Sequence, residues 1–132
     1  FYGVLDLRTR DLRYVSAGHS GVILVRGGEP PGLLDATGPP IGVTSGVRYA
    51  ERSIVLESGQ RLYVCSDGTT RAHDPQGRPY GVEQVARAFD DDRSRPLDET
   101  LERLLEHIES WSGPSGLSDD VACLALGATR DT

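Results

Sequence analysis

Two short acidic motifs, each joined to an apolar segment, carry the residue types in this chain that are best suited to metal chemistry. Asp67 closely follows the apolar run at residues 61–65, and Asp119 and Asp120 directly precede a second apolar run at residues 121–126. Both runs have the length and composition of buried strands. If the two strands are neighbours, their carboxylates converge at one end of a sheet, and such an arrangement holds hard divalent cations.

Each motif also has a purely structural interpretation. Asp67 is followed by Gly68, and Asp-Gly pairs are common where a strand ends in a capped turn. Asp119 and Asp120 repel each other unless something compensates, but a solvated loop in which one of them caps a backbone amide would tolerate them. On the functional interpretation, Gly68 lets the backbone turn sharply, so that Asp67 points out of the sheet end and not into a helix.

The hydrophobic pattern predicts the elements that must position these motifs. In the first half, residues 2–7 and 12–16 predict one hairpin, and residues 53–65 predict a second. In the second half, apolar residues at helical spacing predict helices over residues 81–89 and 96–111. Strands, then two helices, then one last strand are typical of an α+β fold and not of a parallel βαβ fold.

Composition and charge exclude several classes of function. The chain has 132 residues, of which 37% are hydrophobic and 26% charged, which fits one globular domain. The net charge of −6 argues against nonspecific binding to nucleic acid or to an anionic membrane. No apolar run approaches the roughly 20 residues of a membrane span, and no signal-peptide pattern opens the chain. We therefore expect a cytoplasmic protein with neither nucleic acid nor membrane as a partner.

Other residues with chemical potential have plainer interpretations that we favour. Cys65 and Cys123 lie in apolar runs, so two buried reduced thiols are favoured over a disulfide or redox pair. His19 lies between Gly18 and Gly21 and fits a bend between strands better than a general acid. The acidic run at residues 90–92 is typical of a solvated loop that ends a helix, with a metal cluster as the alternative.

Six ordered segments give the chain a resemblance to a known family. It resembles the bacterial branch of the metal-dependent protein phosphatases (the PPM family, SpoIIE/RsbU-like branch). The resemblance implies a β-sandwich flanked by helices, the type 2C-like phosphatase fold. The matching segments are YVSAGH at 14–19, GPPIG at 38–42, LESGQRL at 56–62, VCSDGTT at 64–70, YGVE at 80–83 and DDV at 119–121.

The resemblance implies both a reaction and its metal ligands. In such enzymes a water that bridges two Mn²⁺ or Mg²⁺ ions attacks the phosphorus of phosphoserine or phosphothreonine. Carried over to this chain, Asp67 binds one ion and Asp119 binds the other. Asp120 acts through a water or by orienting a ligand. No side chain beyond these metal ligands is expected to be catalytic.

The chain departs from the family pattern at three places. The family's opening motif, an Asp followed three positions later by Gly-His-Gly, is absent, and we expect it upstream of Phe1. Residues 1–132 would then be about the C-terminal two-thirds of one domain, without its N-terminal strands and helix, and inactive in isolation. The Thr or Ser that the family usually has two residues after the second Asp of the last motif is replaced by Ala122, and the acidic residue usual after the Asp-Gly-x-x stretch is replaced by Arg71.

The resemblance also implies a biological setting. Bacterial members often dephosphorylate antagonists of anti-sigma factors, so we expect a phosphoprotein substrate of that class in sigma-factor partner switching. An exposed sheet edge where the upstream strands belong would favour a homodimer. The alternative is a non-catalytic pseudophosphatase that serves as a regulatory or protein-binding module, for which the departures at Arg71 and Ala122 would be signs of decay.

Overall fold

Seven strands, three helices and one 3₁₀ turn make up the fold that the computed structural model describes over residues 1–129. No helix in that range is long and apolar enough to cross a membrane. In chain order the elements are β1 Tyr2–Leu5, β2 Asp11–Val15, β3 Val22–Val25, β4 Gly32–Leu33, β5 Arg52–Val55, β6 Arg61–Cys65, α1 Asp67–Thr70, α2 Val82–Asp91, α3 Leu97–Ser112, the 3₁₀ turn Gly113–Ser115 and β7 Cys123–Gly127.

The strands form two antiparallel sheets. The first sheet has the order β1-β2-β5, and the second has the order β4-β3-β6-β7. The predicted hairpin near the N-terminus is confirmed, since β1 pairs with β2 from Tyr2 opposite Val15 to Leu5 opposite Leu12. In the second sheet β6 is an inner strand, with β3 on one side and β7 on the other.

The second predicted hairpin is wrong. Residues 53–65 do contain two strands, but β5 pairs with β2 in the first sheet while β6 pairs with β3 and β7 in the second. The chain crosses between sheets after Leu56, which is buried. Gly59 donates to the carbonyl of Ala128 at 2.7 Å, and Ala128 donates to the carbonyl of Gln60 at 2.9 Å, so the turn pairs with the chain after β7.

Two apolar clusters lie on opposite faces of the second sheet. On one face, Tyr63 of β6 stacks on Phe89 of α2 with ring centroids 3.7 Å apart, within a cluster that includes Leu104 and Ile108 of α3. On the other face, Leu62 packs with side chains of the first sheet. The second sheet is therefore the middle layer of a sandwich with helices on one side, and the predicted α+β class is confirmed.

Both predicted helices are present, with their ends moved by one or two residues. The acidic run between them differs from the expected solvated loop, because Asp92 is buried and its carboxylate accepts hydrogen bonds from Arg95 at 2.9 Å and Arg103 at 2.8 Å. Burial opposes the charge of Asp92, but these hydrogen bonds outweigh it and hold the pKa of Asp92 below its ordinary value. Asp92 thus fixes the turn from α2 into α3.

Candidate functional site

The pairing of β6 with β7 brings the two acidic motifs to the same edge of the second sheet. Cys65 at the end of β6 lies opposite Cys123 at the start of β7. The pairing continues one step further, because the backbone N–H of Ser66 donates to the carbonyl of Ala122 at 2.8 Å. We call the segments at residues 66–68 and 119–122 together the acidic edge.

Ser66 joins the two halves of the acidic edge through its side chain. Its hydroxyl donates to the carbonyl oxygen of Asp120 at 3.2 Å and accepts from the backbone N–H of Ala122 at 2.9 Å. Ser66 is not among the site residues that the sequence predicts. Two features of the sequence together could have indicated its role. Ser66 directly precedes Asp67-Gly68, and Ala122 lacks the hydroxyl that the family usually has at that position.

Gly68 is needed at the acidic edge for a reason other than the predicted one. Asp67 is the first residue of α1 and Gly68 the second, so the expected sharp turn away from a helix is wrong. A Cβ atom at position 68 would overlap the carbonyl oxygen of Asp120. The absence of a side chain at Gly68 therefore lets the β6–α1 junction lie against the backbone of the second motif.

The carboxylates of the acidic edge differ in their surroundings. Asp67 is half-buried, and its carboxylate lies 3.4 Å from a guanidinium nitrogen of Arg71, one helical turn further along. Asp119 and Asp120 are exposed, and the carboxylate of Asp119 accepts the backbone N–H of Asp120 at 2.8 Å. The edge thus presents anionic oxygens to solvent, with one cation, Arg71, beside Asp67.

The acidic edge fits Mn²⁺ or Mg²⁺ in ligand type but not in ligand number. Carboxylate oxygens are the donors that such hard cations prefer, and an octahedral ion takes about six of them, counting waters. Over residues 1–129, no group of three or more His, Cys, Asp or Glu side chains is arranged to hold a metal ion. Asp67 and Asp119 can therefore supply part of a metal site, to which other ligands must be added.

The segment around His19 packs against the end of β6. A Cβ atom at Gly21 would overlap the carbonyl oxygen of Cys65, and Gly18 has a positive φ of 76° with Pro40 directly beside it. The hydroxyl of Ser16 donates to the carbonyl of His19 at 3.0 Å. These contacts support the bend interpretation of His19, while a role for it as a general acid stays a prediction.

Comparison with known proteins decides the family. A family model described as Stage II sporulation protein E (SpoIIE) matches residues 1–129. The chain belongs to the SpoIIE family. The resemblance to the SpoIIE/RsbU-like branch of the metal-dependent phosphatases, drawn from the six sequence segments, is thereby confirmed.

Solved structures share the fold of this SpoIIE-family chain. The SiaA-PP2C domain of Pseudomonas aeruginosa is 23% identical with a TM-score of 0.80, and the alignment covers 93% of this chain and 48% of that one. The RsbU and RsbW domains of Rv1364c from Mycobacterium tuberculosis are 27% identical with a TM-score of 0.79, covering 98% of this chain and 36% of that one. The phosphatase domain of SpoIIE from Bacillus subtilis is 16% identical with a TM-score of 0.77, covering 99% and 58%.

A curated relative matches over nearly the same range. Protein IcfG from Synechocystis sp. is 26% identical over 129 residues, which are 96% of this chain and 20% of that protein. The chain thus spans about a fifth of IcfG, and it spans between 36% and 58% of the three solved chains. Similarity to this SpoIIE-family chain is therefore similarity to a part of each relative.

Proposed function

We propose that this chain is part of a metal-dependent serine/threonine protein phosphatase domain whose acidic edge supplies ligands for Mn²⁺ or Mg²⁺. Asp67 binds one ion and Asp119 the other, and Asp120 acts through a water or by orienting a ligand. The observation that carries the proposal is the hydroxyl of Ser66, which ties the two acidic motifs into one edge in a chain of the SpoIIE family.

The residues of the acidic edge have separate tasks on this proposal. The two ions, when bound, would supply an activated water and neutralise the phosphoryl oxygens. Asp67, just after β6, and Asp119, just before β7, hold their ions from the two halves of the acidic edge, and Ser66 fixes the distance between these two segments. Gly68 permits the close approach on which that distance depends. No side chain of the described residues is required to transfer a proton.

The acidic edge needs further ligands to become a complete site. Two carboxylates cannot fill the coordination of two octahedral ions, and the described residues supply no third group in place. Residues 1–132 are on this proposal one part of a larger phosphatase domain, and the remaining ligands come from another segment of that domain. The chain alone is then expected to be inactive or nearly so.

The proposed substrate is a phosphoprotein that antagonises an anti-sigma factor. The RsbU and RsbW domains of Rv1364c and the SpoIIE cell-fate determinant among the similar structures support this class of partner-switching regulation. The net charge of −6 disfavours nucleic acid as a partner. A cytoplasmic location follows from the substrate class, and a homodimer is proposed through the exposed edges of the sheets.

The test is phosphatase activity on an aryl phosphate with Mn²⁺, measured for this chain and for a longer form that extends upstream. We expect activity in the longer form only, and loss of it in Asp67→Asn. Asp91→Asn is the matched control, because Asp91 is an exposed aspartate that lies far from the acidic edge. It stands at the end of α2, close to the turn that Arg61, at the start of β6, contacts by donating to the carbonyl of Arg95 at 2.6 Å. Full activity of Asp67→Asn would contradict the assignment.

One observation favours a second candidate, the non-catalytic pseudophosphatase. Arg71 stands where the family usually has an acidic residue, and its guanidinium lies beside the carboxylate of Asp67. A cation in this position opposes metal binding at Asp67. Calorimetry of the longer form with Mn²⁺ separates the two candidates, because the pseudophosphatase would bind no Mn²⁺ and hydrolyse no phosphate while unfolding cooperatively.

A further inference from the structure

The two cysteines of the chain face each other across β6 and β7. Cys65 and Cys123 are directly opposite in the register. In the neighbouring pair, the backbone N–H of Ser66 donates to the carbonyl of Ala122. The backbone N–H of Cys65 points away from β7 and donates to the carbonyl of Gly21 at 2.8 Å. The cysteines therefore occupy a non-hydrogen-bonded position of the antiparallel ladder, where opposite side chains come closest.

The backbone spacing at this position permits a disulfide. Non-hydrogen-bonded pairs have Cα atoms about 4.5 Å apart, and disulfides are found at Cα separations of about 4.4–6.8 Å. Both cysteines are free thiols. Their side chains share one apolar cluster, because Cys65 is buried in the cluster on the helical face of the sheet and Cys123 packs against it. A disulfide can therefore form here without a change in the pairing of β6 with β7.

Cys123 is the more accessible member of the pair. Cys65 is buried, whereas Cys123 is partly exposed and lines a cavity of about 230 Å³ together with Leu104 and Leu105 of α3. A small oxidant can therefore reach Cys123 before it reaches Cys65.

We propose that Cys65 and Cys123 form a reversible disulfide when the protein meets a peroxide, and that this bond clamps the acidic edge. Cys65 is separated from Asp67 by one residue, and Cys123 follows the second acidic motif. A covalent link at this position fixes β6 against β7 directly behind the carboxylates. The inference does not depend on the proposed phosphatase activity.

The reaction balances with hydrogen peroxide as the oxidant. The thiolate of Cys123 attacks one oxygen of the peroxide, the O–O bond breaks, and a sulfenic acid and one water form once the leaving hydroxide gains a proton. The sulfur of Cys65 then attacks the sulfenic sulfur, the S–O bond breaks, and a second water leaves with the proton of Cys65. Two thiols are oxidised to one disulfide and one peroxide is reduced to two waters, and a dithiol reverses the change.

The test is mass spectrometry of the folded chain after treatment with hydrogen peroxide. The chain has only two cysteines, and trypsin cleavage after arginine places them in different peptides, residues 62–71 and 104–130. We expect a loss of about 2 Da from the intact chain, a single linked pair of these peptides, and full reversal by dithiothreitol. The midpoint of thermal unfolding should rise by roughly 10 °C on oxidation.

Three outcomes would overturn the inference. They are two thiols that both remain titratable, a Cys123 that oxidises to sulfinic acid without a linked peptide, and a disulfide that joins two chains. The chain oxidised in denaturant is the matched control, and it should give the linked peptides in far lower yield, because the strands no longer hold the thiols together. Cys65→Ser and Cys123→Ser should each keep one thiol and show no rise in unfolding temperature after peroxide treatment. The mass measurement on the unaltered chain decides the question even if either variant fails to fold.

Discussion

A single added methyl group at position 68 should separate packing at the acidic edge from helix propensity. Gly68 is the second residue of α1, and alanine is favoured over glycine in helix interiors by about 1 kcal/mol. Helix propensity alone therefore predicts that Gly68→Ala stabilises the protein. The structure predicts the opposite, because the new Cβ would overlap the carbonyl oxygen of Asp120.

The expected loss of stability can be worked out from these contacts. A methyl group forced into a packed position costs about 1–3 kcal/mol. Moving the second motif away also weakens the hydrogen bond from the Ser66 hydroxyl to the Asp120 carbonyl oxygen, which is worth about 1 kcal/mol. After the gain in helix propensity is subtracted, the free energy of unfolding should fall by about 2 kcal/mol. For 132 residues this lowers the melting temperature by roughly 7 °C.

Urea denaturation followed by circular dichroism measures this loss, and Gly127→Ala is the matched control. A Cβ at Gly127, at the end of β7, would meet a methyl group of the Leu97 side chain at 3.3 Å, and that side chain can move where a backbone carbonyl cannot. The control should therefore change the free energy of unfolding by less than about 1 kcal/mol. If Gly68→Ala were as stable as the unaltered protein, the close approach of the two motifs would be refuted.

Three further predictions concern the neighbouring side chains. Ser66→Ala removes both side-chain hydrogen bonds that join the motifs, and it should lower the free energy of unfolding by about 1–2 kcal/mol in urea, with Ser118→Ala as an exposed control. Arg71→Glu removes the cation beside Asp67 and should raise Mn²⁺ affinity in the longer form by about two- to fivefold by calorimetry; unchanged affinity would mean that the ion pair has no influence. Because the pKa of Asp92 is lowered by folding, its stabilising effect is present above the pKa of an unfolded aspartate, about 3.9, and is lost as the pH falls through the lower folded value. Asp92→Asn should therefore lower stability at pH 7 by about 1–3 kcal/mol and flatten the acid limb of the stability curve, and an unaltered acid limb would contradict the pairing.

The sequence was sufficient to predict the N-terminal hairpin and the two long helices because their hydrophobic periods are strong. The apolar stripe of α3 and the alternation in β1 and β2 determine the local structure with little help from the rest of the chain. The convergence of the two acidic motifs was also predictable, given one assumption about neighbouring strands. β6 and β7 are in fact paired, and that pairing satisfies the assumption.

Strand partners and close backbone contacts were not predictable in the same way. A short turn after an alternating strand has the same sequence pattern in a hairpin as in a connection that crosses to another sheet. For that reason the predicted pairing of β5 with β6 is wrong. Gly68 was interpreted from its own conformational freedom, whereas its role depends on Asp120, some fifty residues away. Asp92 is buried because Arg103, on the next helix, reaches back to it, and no local pattern contains that contact.

The long separation between β6 and β7 along the chain has a consequence for protein synthesis. β6 pairs with β3, which the ribosome has already made, but its other partner is separated from it by both long helices, as Arg61 pairs with Gly127. A growing chain therefore carries β6 with one bare edge until β7 is complete, and contacts so distant in sequence form slowly. During that interval each nascent chain presents Asp67 without Asp119 beside it, so the two halves of the acidic edge meet only once β7 has paired with β6.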